Sequence, residues 1–359
     1  MGARSLLPSL LGVAVALRPQ PTRREVAVGA AALAGLPRAA TGAASTTLGA
    51  PATSSTVKLL DDSIFPLASF GLQIYDDDTA EKLTLLAIEA GFRNFFASVL
   101  ARNQVGFARA VKRSGVPREE LFICGSVVSN RAMDADTAYK LTKLGCDENM
   151  QAFSAGGGIT QLDMIMLDYP GSTDECIHAQ WQAFEEMQES GLVRSLAVSN
   201  FSPQQLDVVC GGRRGGSSGK GGGGGGDGRR VTQPVVNQLP LCVGYHDPGL
   251  IAANARRGIH AQAWSPLGNG RLTRFSRDAP AIKELCAEIG TRYAKSPYQV
   301  ALRWLLDAGA SFTVEARTAA HFAEDLAVFD FALTQGEMAA LEELNRQPSF
   351  EGSVTAPNA

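Results

Sequence analysis

The sequence predicts an α/β fold in the form of a closed (β/α)8 TIM barrel, and three observations point there. Leu162–Leu167 is apolar but for Asp163, the composition of a strand buried on both faces, as in a parallel sheet wrapped by helices. It ends in Asp168 and the turn-forming Pro170-Gly171, so a carboxylate stands at the carboxyl end of a buried strand, where parallel barrels carry their chemistry. Strand-like and helix-like segments then alternate from Thr56 to Gln347. No Gly-x-Gly-x-x-Gly follows a strand, which excludes a dinucleotide fingerprint of the open-sheet type.

The strands expected from apolar and β-branched runs are Phe92–Ser98, Leu121–Val128, Leu162–Leu167, Arg194–Ser199, Val235–Gln238, His260–Trp264, Phe312–Val314 and Ala327–Phe329. Helical periodicity or capping residues place helices over Thr79–Gly91, Val105–Ser114, Asp134–Leu144, Asp174–Gly191, Pro203–Val209, Pro248–Arg257, Ala281–Ala308 and Ala319–Asp325. Ala155–Gly158 reads as a loop before the central strand. Residues 211–230 are nearly all Gly, Ser and Arg and are expected to form a disordered insertion, because they offer too little apolar surface to order themselves.

Residues 1–55 read as a targeting leader and joint, 56–347 as the barrel and 348–359 as a tail. The first 50 residues are rich in Arg, Ala and Gly and carry Glu25 as their one acid. They hold two apolar runs, Leu6–Leu17 and Val26–Leu36, each too short to span a bilayer. The first resembles a secretory signal; the second, after Arg23-Arg24, resembles a transit peptide or twin-arginine signal. Together they predict a bipartite plastid leader, with the thylakoid lumen as a further destination, against the plainer reading of a low-complexity arm. No membrane partner is expected of the mature protein.

The chain has 359 residues, 45% of them hydrophobic and 19% charged, with a formal net charge of −3. It can therefore bury a full core, and nothing in the balance calls for nucleic acid. Its six cysteines show no Cys-x-x-Cys pair and no His at metal-ligand spacing, so free thiols are expected and no metal site.

Four segments follow one another in a recognisable order: Gly191–Phe201, Asn237-Gln238, Ala263–Gly268 and Gln299–Trp304, with Val328–Thr334 as a fifth. From Val57 to Asn345 the chain resembles the aldo-keto reductase family. The resemblance implies a barrel that binds NADPH in extended form and passes its hydride to a carbonyl. A Tyr donates the proton, tuned by a Lys, an Asp and a His.

Carried over residue by residue, the family's Asp falls on Phe96, its Tyr on Ala101, its Lys on Ser126 and its His on Asp168. Counting back from Gly106 instead gives Asn94 and Val99, which restores neither Asp nor Tyr. The resemblance assigns Ser199, Asn200 and Gln238 to the nicotinamide amide, Trp264 to stacking on its ring, and Ser265 and Leu267 to the pyrophosphate. Plainer alternatives stand beside these roles: Trp264 as barrel core, and Ser199-Asn200 as the cap of the following helix.

At the adenosine end the family's Pro-Lys-Ser reads Val314-Glu315-Ala316, its Arg reads His321 and its Asn reads Asp325. Glu315 opposes the 2′-phosphate of NADPH, whereas an acid near the ribose suits NADH. NADPH is thus disfavoured, leaving NADH or no cofactor. The sequence supports a pseudoenzyme or repurposed binding or regulatory barrel, holding a small molecule or nucleotide at the strand carboxyl ends. An active oxidoreductase that uses NADH with Asp168 or a water as proton donor is the alternative, and a purely structural barrel a third reading.

Overall fold

The computed structural model describes residues 55–345 except Ser98, 212–231, Pro248 and 269–278. The expected leader, the Gly-rich insertion from Gly212 onward and the tail lie outside the described residues. A short antiparallel hairpin, β1 (Thr56–Lys58) and β2 (Ile64–Pro66), precedes the barrel. Eight parallel strands then close on themselves: β3 (Ala68–Gly71), β4 (Asn94–Phe96), β5 (Phe122–Val127), β6 (Leu162–Asp168), β7 (Val193–Ser199), β8 (Val236–Pro240), β9 (His260–Trp264) and β10 (Ser311–Val314), with β10 paired to β3.

The helices between them are α1 (Asp77–Ala90), α2 (Gln104–Ser114), α3 (Ala135–Gly157), α4 (Asp174–Glu189), α5 (Pro203–Val209), α6 (Leu250–Ala255), α7 (Ala279–Tyr293), α8 (Pro297–Asp307), α9 (Ala319–Leu326) and α10 (Gln335–Glu342). Their starts are written in the sequence: Asp76, Asp134, Thr173 and Thr318 accept a backbone N–H of the first turn, and Ser202, Ser296 and Thr334 form full capping boxes.

Four expectations need correction. The first barrel strand is Ala68–Gly71, not Phe92–Ser98. Its side chains are small except Phe70, and Gly71 is needed because a Cβ there would come within 2.8 Å of the Thr313 hydroxyl. Ala327–Phe329 is not a strand: Lys295 and Gln299 donate to the Ala327 carbonyl and Arg303 to that of Val328, tying the segment to α8 as a turn. Ala155-Gly156-Gly157 is not a loop but the last turn of α3. A Cβ on Gly156 would stand 2.3 Å from the Val105 carbonyl oxygen and one on Gly157 2.2 Å from that of Ala108, so these glycines let α3 lie directly on α2. Finally, Ala281–Ala308 is two helices, broken where Ala294 adopts a left-handed φ of 55° before the Ser296 cap.

Strand alternation sorts the side chains. Phe70, Phe95, Ile123, Ile165, Leu167, Val198 and Phe312 pack outward under the helices in one large core. Phe96, Phe122, Cys124, Met164, Met166 and Ala197 fill the lumen as a second cluster, which the hairpin closes with Phe65. Phe65 meets Phe122 edge-on at 5.0 Å and His260 at 5.9 Å between ring centroids, and Ser63 Oγ lies 3.0 Å from Ser195 Oγ. Phe122 and His260 open their strands, so the hairpin plugs the amino end of the barrel and leaves the carboxyl end as the mouth.

Candidate functional site at the barrel mouth

Parallel pairing fixes which lumen-facing side chains are neighbours across the strands, along a line that descends the barrel because the strands tilt. The register runs Asp168 to Ser199, Ser199 to Gln238, Gln238 to Gln262 and Gln262 to Ser311 across five adjacent strands. Asp168, Ser199 and Gln238 were legible as site residues; Gln262 and Ser311 were not. Gln262 lies two residues before Trp264 on the same strand face, the period-2 signal that would have found it. All five are buried; Asp168 and Ser199 end their strands above Met166 and Ala197, whereas Ser311 opens β10, so this polar run descends from the mouth into the lumen.

Three strands end at the mouth with the same backbone device. Tyr169, Asn200 and Ser265, each the first residue beyond its strand, adopt left-handed φ of 68°, 64° and 51°. None is a glycine, and such conformations cost free energy that the surroundings must offset. The Tyr169 N–H donates to the Ser199 carbonyl at 3.2 Å and the Asn200 N–H to the Gln238 carbonyl at 2.9 Å, so the ladder continues through the turn and holds it.

Asn200 then becomes the hub of the mouth. The Trp264 indole N–H, which can only donate, gives a hydrogen bond of 3.0 Å to Asn200 Oδ1. That fixes the amide, so its Nδ2 faces Ser199 Oγ at 2.9 Å and Asp168 Oδ1 at 3.3 Å. Gln238 Nε2 is likewise engaged, donating to Gln262 Oε1 at 2.8 Å. Asn237 belongs to the scaffold: it joins Phe201 to Asn254 of α6. The plainer reading of Ser199-Asn200 as a helix cap fails, because Ser202 caps α5. Trp264 is half-buried at the rim rather than enclosed in the core.

Asp168 is 6% exposed. Burial pushes its carboxyl up to about 6, against the opposing hydrogen bonds of Ser199 and Asn200. Among the described residues no cation pairs with it. A carboxyl poised near neutrality in a strand-end site is a candidate for proton or charge chemistry.

The other positions assigned to the tetrad do not join this network. Ser126 is buried on β5 in register with Met166, and its hydroxyl accepts the Val99 N–H at 3.4 Å. Phe96 is lumen core. Ala101 is half-buried in the turn after β4, beside Leu100, which is 64% exposed. Of the positions assigned to the cofactor, Ser265 begins the turn closed by the Gly268 N–H and Leu267 packs into the outer core.

Glu315 is exposed just before α9, and Ala316 has no hydroxyl to offer. Its carbonyl instead accepts the Tyr75 hydroxyl at 3.1 Å. This donor set does not fit the 2′-phosphate of NADPH. The amide of Asn200 is already bonded to Trp264, Ser199 and Asp168.

Comparison with known proteins agrees with the geometry of the scaffold. The model of the aldo/keto reductase family matches residues 67–346. An aldo-keto reductase of Mycolicibacterium vanbaalenii is 29% identical over 295 residues, covering 82% of this chain and 94% of the relative. Methylglyoxal reductase DkgA of Escherichia coli O157:H7 is 28% identical over 297 residues, covering 81% and 94%. Among solved structures, an aldo/keto reductase from Brucella melitensis superposes with a TM-score of 0.66 at 23% identity over 81% of this chain and 99% of that one. The aldose reductase of Schistosoma japonicum gives a TM-score of 0.66 at 21% identity over 82% and 94%.

Proposed function

The chain belongs to the aldo/keto reductase family, and we propose that within it this barrel has left the carbonyl-reducing route and acts as a binding or regulatory protein of a plastid. One observation carries the reading: the positions that would supply and tune the proton hold Phe96, Ala101, Ser126 and Asp168. Two of these are committed to other work. Phe96 packs the lumen, and Ser126 receives a backbone N–H where the family's Lys would need room for its ammonium. General acid–base help is worth about 10² to 10⁴ in rate. An ionised Asp168 would moreover oppose the negative charge that grows on a carbonyl oxygen as it is reduced.

The ligand this reading expects is a small molecule or nucleotide at the carboxyl ends of the strands, where Asp168, Ser199 and Asn200 carry the polar groups. NADPH is disfavoured by Glu315, Ala316 and His321, which leaves NADH or no cofactor. A cofactor-oxidation assay tests the proposal, run with NADPH and NADH over a panel of aldehydes and ketones. Methylglyoxal belongs at its head because the Escherichia coli relative is a methylglyoxal reductase. Background rates with both cofactors are expected; robust turnover with NADPH would overturn the reading.

Asp168 supports a second reading. Its carboxyl, pushed up to about 6, retains a small protonated fraction at neutral pH, which makes it a proton donor in an oxidoreductase that uses NADH. Turnover with NADH alone, lost in Asp168→Asn, is its signature. Plastid location rests on the leader and has its own test: residues 1–50 fused to a fluorescent protein in an alga should give plastid signal, and uniform cytosolic signal excludes it.

A further inference from the structure

We infer that helix α10 is latched to the barrel mouth by an ion pair between His246 and Glu342, and that the latch opens as His246 loses a proton. The inference stands apart from the question of whether the barrel reduces a carbonyl.

His246 lies in the segment that leaves β8, whose last residue, Pro240, is in register with Trp264 at the rim. That segment makes a tight turn: Cys242 and Tyr245 exchange two backbone hydrogen bonds of 3.0 Å, and Gly244 supplies the left-handed φ of 79°. The next residue, His246, is 3% exposed at its side chain, and its ring meets three elements. Nε2 lies 3.0 and 2.9 Å from the two carboxylate oxygens of Glu342, the last residue of α10. Nδ1 lies 3.3 Å from the Cys242 carbonyl oxygen. The ring stands 4.7 Å, centroid to centroid, from that of Trp304 on α8. Just beyond α10, Asn345 donates to the His246 carbonyl at 2.8 Å and accepts its N–H at 3.4 Å, so one residue holds the end of the helix by both backbone and side chain.

The partners select the charged ring. Both ring nitrogens face oxygens that can only accept, a carbonyl and a carboxylate. The imidazolium donates to both, whereas either neutral tautomer turns a lone pair towards one of them and gives up the ion pair as well. Asn345 Nδ2 is 3.4 Å from Nε2, but its closer bond is to the His246 carbonyl. An aromatic face beside the ring also favours a cation. The surrounding charges do not oppose this. On the same loop, burial pushes the Tyr245 phenol up, which keeps it neutral, and the Asp247 carboxylate accepts the Gly249 N–H. On α8, Arg303 next to Trp304 is paired with Asp307 at 2.6 Å, and after α10 Glu343 adds a second acid beside Glu342.

The helix so held is easily released. With eight residues it is too short to persist alone, and it buries only Glu337 and Leu341. Its amino end is tied to α7, where Glu337 takes the Tyr293 hydroxyl at 2.7 Å and Arg292 at 3.0 Å; its carboxyl end is tied to the mouth through His246. An imidazole changes charge between about pH 5 and 8. The carboxyl end of α10 is therefore fastened on the acid side of that range and loosens as pH rises, and the loop leading out of β8 loosens with it.

Hydrogen–deuterium exchange of the full chain, read by mass spectrometry at pH 6 and pH 8 and corrected for the intrinsic pH dependence of amide exchange, tests this. Residues 335–345 and 241–247 should open several-fold more often at pH 8 than at pH 6, while α2, which contains no histidine, stays unchanged. Glu342→Gln, at a side chain 44% exposed, should open at pH 6 as often as the wild type does at pH 8 and lose the pH dependence. Asp168 changes charge in the same range and is left in place by that variant, so what the variant abolishes belongs to the latch. Equal opening of 335–345 at the two pH values in the wild type would overturn the inference even where the variant fails to fold. A pH dependence that persists undiminished in folded Glu342→Gln would overturn it as well.

Discussion

The two ends of the barrel solve opposite problems with the same strands. At the amino end the lumen is closed by apolar matter: Phe65 of the hairpin is 1% exposed and packs edge-on against Phe122 and beside His260. The one buried acid there, Asp163, is answered three ways, by Arg118 at 2.6 Å, by Arg194 at 3.4 Å and by the Ile123 N–H at 2.9 Å. At the carboxyl end the buried acid Asp168 has neutral partners alone among the described residues, and three strand ends hold left-handed non-glycine residues. Sites that bear such costs are where function is sought. The amino end spends its residues on stability, the mouth on something the fold alone does not require.

The largest effect expected from this contrast is at the amino end. Phe65→Ala removes the plug's ring and leaves a void that the closed strands cannot collapse into, so a loss of about 3–5 kcal/mol is expected. Urea denaturation measures it. A loss below 1 kcal/mol would mean that the hairpin is an accessory rather than the barrel's floor, and the contrast between the ends would weaken.

The next effect is smaller and has the opposite sign. The folded-state carboxyl of Asp168 lies near 6 rather than its ordinary 3.8, so the native chain binds that proton more tightly than the unfolded one. Its contribution is therefore most favourable below pH 4 and declines as pH rises to about 6, by up to about 3 kcal/mol. Asp168→Asn keeps the shape and removes the ionisation. The variant should match the wild type near pH 4 and exceed its stability at pH 7.5. His260 pulls the other way over a similar window: burial lowers its imidazole to about 4, and that contribution is lost as pH falls from about 6.5 towards 4. Subtracting the two stability curves cancels His260 and isolates Asp168. A pH-independent difference would show that the carboxyl does not titrate in this range.

The same contrast explains what could be read from the chain. The mouth residues Asp168, Ser199, Asn200, Gln238 and Trp264 were legible because each ends or nearly ends a strand whose composition is unmistakable, and a barrel brings strand ends together. Gln262 and Ser311 were not, because whether a polar strand residue faces the lumen or the helices depends on register, which pairing alone reveals. Ala68–Gly71 escaped because it has no β-branched residue and four residues in all; its neighbours β10 and β4 make it a strand. Ala327–Phe329 misled because Val328 is buried like a strand residue, although side chains of α8 hold it. The Gly tail of α3 looked like a loop because its reason, contact with α2, is remote in sequence. Phe96, Ala101 and Ser126 were assigned to tetrad positions by resemblance alone; what Phe96 and Ser126 do is seen in the lumen packing and the Val99 N–H.

The smallest effect tests the hub itself. Trp264→Phe keeps an aromatic ring at the rim and deletes the indole N–H that fixes Asn200. A neutral hydrogen bond of this kind is worth about 1 kcal/mol net, and Trp264 is only half-buried, so a loss near that value or below it is expected in urea denaturation. The more telling readout is Asp168. With the indole in place the Asn200 amide must present Nδ2 to the carboxyl, which favours its ionised form. Without it the amide is free to turn and offer Oδ1, which favours the protonated form. The Asp168 titration, followed by carboxyl carbon NMR with Asp168→Asn to assign the signal, should therefore move upward in Trp264→Phe. A downward move would mean that the smaller ring lets water in to solvate the carboxylate, and that the indole's role at the mouth is exclusion of solvent rather than orientation of Asn200.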